Sequence, residues 1–266
     1  MPLFSWFKKK KVGLVLGGGV ARGIAHIGVL KVLHSYKVPI DFIVGTSSGS
    51  LVGAAYASGM DISLIEQVAL HIHWPDLVKL AFFRPGFVSE ESIEEFVVKY
   101  IGDMNVSELK IPFAAVATDI RTGDEVVLSE GKVSKLVAAS SAFPGFFAPA
   151  DIDGRFLIDG GIAGNVPVEV ARRMGAEFVI ASNVIPTKYI RTLPRDPLQA
   201  FGRSLDLILN KLSREQVSSA DVPIQLEMEE DIWHLDLHKA KKLIALGEIS
   251  AHRVVNKIRK SLRLRS

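Results

Sequence analysis

The chain of 266 residues contains no cysteine. That absence excludes disulfides, thiolate metal sites and a cysteine nucleophile together, and it fits a reducing compartment. Long apolar runs are also missing: glycine or charge interrupts each one before it reaches the ~20 residues that a membrane-spanning helix needs. No Gly-Lys-Ser/Thr follows the glycine-rich loop, which excludes a phosphate-binding P-loop. An excess of charge of either sign is missing as well. The 32 Lys and Arg against 29 Asp and Glu leave a formal +3. No nucleic-acid-binding motif accompanies the basic residues, so no nucleic-acid partner is expected. The first residues run aromatic then basic (Phe4, Trp6, Phe7, then Lys8 to Lys11), the reverse of a secretory leader, which predicts a cytoplasmic protein. These lysines and the basic carboxyl end (Arg253, Lys257, Arg259, Lys260, Arg263, Arg265) read either as solvated ends or as peripheral contacts to anionic lipid.

What is present is an alternation of short apolar runs with helical spacing. Val12 to Leu16 reads as a strand ending in Gly17-Gly18-Gly19, followed by a helix from about Ile24 to Tyr36. Ile40 to Val44 reads as a second strand and Ser50 to Ser58 as a small-residue helix closed by Gly59. Such alternation predicts a mostly parallel sheet with helices on its faces. Further on, Ser89 caps a helix to about Tyr100, and Phe113 to Thr118 and Glu125 to Leu128 make a hairpin. Val133 to Ser140 reads as helix, Phe143 to Pro149 as an aromatic loop, and Phe156 to Ile158 as a strand leading into Asp159-Gly160-Gly161. A helix from Pro167 to Met174, a strand from Phe178 to Ser182, and two long helical patterns around Ile224 to Leu226 complete the chain. With no repeat, low-complexity stretch or linker, one domain over residues 1–266 is expected, carrying an aromatic and basic segment at 1–11 and a helical region at 227–266.

Gly45-Thr46-Ser47-Ser48-Gly49 matches Gly-x-Ser-x-Gly, and it follows a strand and opens a helix. A serine on so sharp a turn stands clear of the sheet, and side chains two residues either side would collide with the neighbouring strand and helix. Ser47 is therefore the candidate nucleophile, with Gly45 and Gly49 supporting the turn. Gly17, Gly18 and Gly19 are candidates for an oxyanion hole, since backbone amides must approach the substrate there without side chains in the way. Arg22 lies close behind them, either bracing the loop or meeting an anionic group. A dinucleotide site competes for the same glycines. However, Arg22 stands where its last glycine belongs, and Asp41 precedes the second strand instead of ending it.

A free serine needs a base within hydrogen-bond reach. His26 reads as packed on the first helix, and His34, His71 and His73 have no acidic partner in a motif. His234, His238 and His252 lie in charged, helix-like sequence and read as surface residues. Asp159 ends a strand and precedes Gly160 and Gly161. It is either an ordinary turn former or a carboxylate whose apolar surroundings raise its pKa toward neutrality.

Taken together, these motifs resemble the patatin-like phospholipases, in particular their bacterial members. The likeness runs through Gly17 to Gly23, His26 to Leu30, Gly45 to Gly49, Ser140 to Pro144, Asp159 to Gly161, Asn165 and Pro167, and spans roughly Lys11 to Asn183. It implies a three-layer α/β/α fold with a mostly parallel central sheet. It implies a serine acyl hydrolase of phospholipase or esterase type, working through a Ser47–Asp159 dyad and an acyl-enzyme, with no metal and no cofactor. By position Gly17, Gly18 and Gly19 match the oxyanion loop, Arg22 the arginine beside it, and Gly160 supports the aspartate. The implied partner is a lipid or other acyl ester. Phe143, Phe146, Phe147 and also Phe82, Phe83 and Phe87 are candidates for the acyl pocket or plain core, and Trp74 to Phe87 for a lid. A lipid-binding protein that keeps the fold without turnover is the alternative from another class.

Overall fold

A computed structural model describes residues 9–77, 91–187 and 193–264. The described residues begin with β1 (Val12–Leu16), a helical turn at Val20–Ile24 and α1 (Ala25–Ser35), then β2 (Phe42–Thr46) and α2 (Ser48–Ala57). The expected strand–helix alternation is present with a shift of register: β2 continues to Thr46 and α2 starts at Ser48. Ser47 is thus the single residue between strand and helix. Next come α3 (Ile62–His71), capped where the Asp61 carboxylate accepts from the Ser63 amide at 2.8 Å, α4 (Trp74–Leu77) and α5 (Glu91–Ile101). The proposed cap Ser89, the aromatics Phe82, Phe83 and Phe87, and the lid beyond Leu77 lie outside the described residues, as does the aromatic start of segment 1–11.

β3 (Phe113–Asp119) and β4 (Glu125–Leu128) form the expected antiparallel hairpin, followed by α6 (Val133–Ser140). Then an unexpected strand, β5 (Ala150–Ile152), pairs with β6 (Arg155–Asp159). Its signal was the Asp153-Gly154 pair, whose φ angles of 53° and 79° make a two-residue hairpin that matches the twist of its strands. The chain closes with α7 (Gly161–Gly164), α8 (Val168–Arg173), β7 (Phe178–Asn183), α9 (Pro197–Ser218), β8 (Val222–Gln225) and α10 (Ala240–Leu262). No helix among the described residues is long and apolar enough to cross a membrane.

The strands form one sheet whose hydrogen-bonded pairings run β5 to β6, β6 to β3, β3 to β2, β2 to β1, β1 to β7 and β7 to β8, with β4 also paired to β3. β1, β2, β3, β7 and β8 run parallel; β4, β5 and β6 run against β3 or each other. Side chains alternate between two faces, as strand geometry requires. Leu14, Leu16, Ile43, Phe113, Ala115 and Ile180 point into the larger core with α1, α2 and α10. Val15, Val44, Val116, Val179 and Ala181 point the other way, against α8 and Val217 of α9. This is the three-layer α/β/α arrangement. α1 and α10 pack so closely that a Cβ on Gly28 would strike the Ile244 carbonyl and one on Gly247 the Ala25 carbonyl.

One feature of the register positions the site. β2 pairs with β3 through Thr46↔Val116, whereas β6, running the opposite way, pairs through Asp159↔Ala117. β4 occupies the other edge of β3 at both Val116 and Ala117. β2 and β6 therefore share one edge of β3 and meet end to end. Their carboxyl termini, Thr46 and Asp159, face each other across adjacent rungs.

Candidate active site

The residue after β2 is Ser47, held at φ 52°, ψ −126°. A positive φ is a high-energy conformation for a residue with a Cβ, costing on the order of 1–3 kcal/mol, and it persists only where the surroundings enforce it. Here they do. A Cβ on Gly45 would lie 2.5 Å from Ser50 Cα, and one on Gly49 would strike the Leu16 carbonyl, so both glycines of the elbow are sterically required. The Ser47 amide donates to Ser140 Oγ at 2.8 Å, and the Ser140 hydroxyl donates in turn to the Val116 carbonyl at 2.6 Å. Ser140 thus ties the elbow to β3. The sequence marked its neighbourhood but not this role, because the two partners lie far from it in the chain.

Asp159 ends β6 and is 4% exposed, beside Ser47 at 6%. Its Oδ1 accepts from the Gly161 amide at 2.8 Å, and its carboxyl is hydrogen-bonded to the Ser47 side chain. Burial pushes the Asp159 pKa up to about 6, against the downward pull of those two hydrogen bonds. Gly160 is needed because a Cβ there would strike the Val116 carbonyl. The structure brings Ser47, Asp159, Gly45, Gly49 and Gly160 into one place.

The glycine loop after β1 carries the three residues expected to form the oxyanion hole, Gly17, Gly18 and Gly19. Gly17 donates its amide to the Ser182 carbonyl at 3.0 Å and Gly18 to the Asn165 carbonyl at 3.2 Å. Both amides are engaged in holding the loop against β7 and the turn after α7. The amides of Gly19 and of Ser48, the residue after the candidate nucleophile, have no protein partner among the described residues. A Cβ on Gly18 would lie 3.2 Å from Ser47 Cβ, so the loop passes directly over the serine. His26 supports it from below: the Gly17 carbonyl can only accept, so His26 Nε2, 2.8 Å away, carries the proton, and Nδ1 lies 3.0 Å from Ser182 Oγ. Burial lowers the His26 pKa to about 4, against the raising effect of the Gly17 hydrogen bond, so this histidine is neutral and structural.

Arg22 is 1% exposed and forms a bidentate pair with Asp206 of α9, Nη1 to Oδ2 at 3.0 Å and Nη2 to Oδ1 at 2.5 Å. Burial would raise the Asp206 pKa, but the charge of Arg22 and hydrogen bonds from His234 and Arg22 hold it at about 2. His234 is not a surface residue as its charged sequence context suggested. Its side chain is only 13% exposed, because Nε2 reaches Arg22 and Asp206 at 2.9 Å and 3.0 Å. His34, His71, His73, His238 and His252 are exposed.

Ser47 opens into a cavity of about 510 Å³ whose walls include Leu51, Val52, Ile65, Ala69, Phe96 and Val97. Phe143, Phe146 and Phe147 line it as well, and so does Trp74, whose indole N–H donates to the Leu235 carbonyl at 2.8 Å. A pocket of this size and character suits an apolar chain. Among the described residues no cluster of three His, Asp or Glu side chains is arranged to hold a metal ion.

Fold and site together define the class: the chain belongs to the patatin-like phospholipase family, whose model matches residues 14–172. That span includes the glycine loop, the elbow and Asp159. Among its relatives is the neuropathy target esterase sws of Drosophila melanogaster, 32% identical over 192 residues, covering 68% of this chain and 13% of that protein. An NTE family protein of Mycobacterium tuberculosis is 34% identical over 180 residues, covering 64% of this chain and 48% of its own length. The matched region is thus a small part of the insect protein and about half of the mycobacterial one. Of solved structures, VipD from Legionella pneumophila superposes with a TM-score of 0.65 at 12% identity, covering 94% of this chain and 67% of that one. At that identity the likeness is one of fold.

Proposed function

We propose that this chain is a serine acyl hydrolase that releases fatty acids from lipid esters through a Ser47–Asp159 dyad. The observation that carries this reading is the head-on meeting of β2 and β6. It sets a strained serine against a buried carboxyl whose pKa lies near 6, at the foot of an apolar cavity. At neutral pH such a carboxylate is ionised yet basic enough to accept a proton.

The ester enters with its acyl chain in the cavity. Ser47 Oγ attacks the carbonyl carbon as its proton passes to Asp159, and the C=O electron pair moves onto oxygen. The amides of Gly19 and Ser48, which have no partner among the described residues, are the proposed donors to that oxyanion, each such donor contributing about 3 kcal/mol. Collapse expels the alcohol, which takes the proton from Asp159, and leaves an acyl-enzyme. Water, deprotonated by Asp159, then attacks the acyl carbon; the bond from that carbon to Ser47 Oγ breaks, Oγ takes the proton back from Asp159, and the acid leaves. No cofactor is needed at any step. The esterase and phospholipase names of the relatives support a lipid ester as the substrate class.

Fluorophosphonate labelling mapped by peptide mass tests the dyad on wild type, Ser47→Ala and Asp159→Asn. Labelling confined to Ser47, lost in the first variant and slowed in the second, is the expected result. Wild-type protein that stays unlabelled, and releases no fatty acid from phospholipid, lysophospholipid or glyceride micelles, would refute it.

A further inference from the structure

Asp206 and His234 come from α9 and from the segment before α10, far in sequence from the motifs of the site, and lie beyond the matched residues 14–172. Yet they converge on the glycine loop through Arg22. We propose that Asp206 and His234 are positioning residues that set the oxyanion loop. This inference rests on the hydrolase reading for its consequence, but not for its geometry.

Contacts made by three residues carry it: Arg22, Asp206 and His234. Arg22 Nε approaches the Gly19 carbonyl at 3.4 Å, so the guanidinium reaches the peptide that follows the free Gly19 amide. Asp206 grips the other end of the same guanidinium with both oxygens, a planar fork-to-fork match that fixes its orientation. His234 acts twice: its carbonyl accepts from the Ala21 amide at 3.2 Å, and its ring meets Arg22 and Asp206. Gly202 leaves room for that ring, since a Cβ there would lie 2.8 Å from Nδ1.

The loop needs such a clamp. Val20 sits at φ 51°, a left-handed value that a β-branched residue adopts only under constraint. The amides of Gly17 and Gly18 anchor the start of the loop to Ser182 and Asn165. From Gly19 onward the loop is held by the turn's own Arg22–Gly19 hydrogen bond and by the Arg22, Asp206 and His234 contacts. A fully buried guanidinium left unpaired would swing toward any acceptor, taking the Gly19 peptide with it.

Two variants test this: Asp206→Asn, which keeps the shape and removes the charge, and the double substitution Arg22→Met with Asp206→Leu. The second swaps a buried ion pair for apolar side chains, a change that commonly leaves a protein folded. Amide hydrogen exchange over residues 17–24 reads the loop directly, and kcat and KM for a soluble nitrophenyl ester, per folded molecule, read the consequence. Exchange in that peptide is expected to rise at least tenfold in both variants. The kcat should fall on the order of 100-fold at nearly constant KM, the scale of a misplaced catalytic group. Asp206→Glu should recover part of both. Unchanged exchange at residues 17–24 in a folded variant would overturn the proposal, as would wild-type kcat. If exchange rises while wild-type protein itself turns over no ester, the clamp stands and the hydrolase reading falls.

Discussion

Replacing Asp159 by Asn should abolish activity while making the protein more stable at neutral pH. The carboxyl is buried and its pKa lies at about 6, against 3.8 for an ordinary aspartate. Below pH 4 the proton is bound in both folded and unfolded chains, and ionisation costs nothing. Between pH 4 and 6 the unfolded chain ionises while the folded one holds its proton, so stability is lost as pH rises. Above pH 6 the loss is complete. A gap of about two units corresponds to about 3 kcal/mol. Asparagine carries no such burden, and its amide oxygen still accepts from the Gly161 amide. Loss of the acceptor facing Ser47 offsets about 1 kcal/mol of the gain. Asp159→Asn is therefore expected to be more stable than wild type by about 2 kcal/mol at pH 8, and no more stable at pH 3.5. Guanidinium unfolding of both proteins at unit steps from pH 3.5 to 8 measures the difference, which should grow through pH 4–6 and then level off. A difference that does not vary with pH would show that the carboxylate is not destabilised in the fold, and the argument for Asp159 as base would fail with it. The wild-type kcat/KM for a soluble ester should rise through about pH 6 to a plateau, as the same group ionises.

His26 titrates with the opposite sign. Its pKa of about 4 means that the unfolded chain takes up a proton below pH 6.5 while the folded one does not, so the His26 contribution to stability falls by about 3 kcal/mol between pH 6.5 and 4, against the gain from Asp159 over the same range. His26→Gln should flatten that fall, and unchanged acid sensitivity of the variant in urea melts would contradict it. Gly160→Ala forces a methyl against the Val116 carbonyl beside Asp159. We expect a loss of at least about 2 kcal/mol and severely reduced labelling of Ser47, and a stable, fully labelled variant would refute the steric account. Ala69→Trp would fill part of the cavity into which Ser47 opens. Release of long acyl chains should drop at least tenfold relative to butyrate esters, and an unaltered chain-length profile would place the acyl chain elsewhere.

Local sequence determined much of the site. Gly45 and Gly49 around Ser47, an apolar run before and small residues after, are consequences of packing a sharp turn between one strand and one helix, so their spacing is visible in the chain. Asp159 before two glycines was legible only as a strand end with open space beyond it, and its role as base stayed open on residue logic. Periodicity places the strands of both faces, although β2 and α2 lie two residues from where the pattern puts them, and β5 follows an aromatic loop and is marked only by its Asp153-Gly154 turn. Other features had no local signature. Nothing near Asp159 says that β6 abuts the end of β2 on the same edge of β3; that follows from strand pairing over long separations, and it alone puts the carboxyl against Ser47. Likewise a glycine run shows that backbone can approach closely, but which amides remain free depends on the carbonyls of Ser182 and Asn165. The charged stretch around His234 looked like surface because hydrophilicity is local, while burial of an ion pair is decided by what packs over it. The sequence by itself determined most of the elements and the kinds of side chain at their ends; the tertiary structure decided which of those groups meet, because proximity between distant residues is a property of the strand pairing and not of the segments.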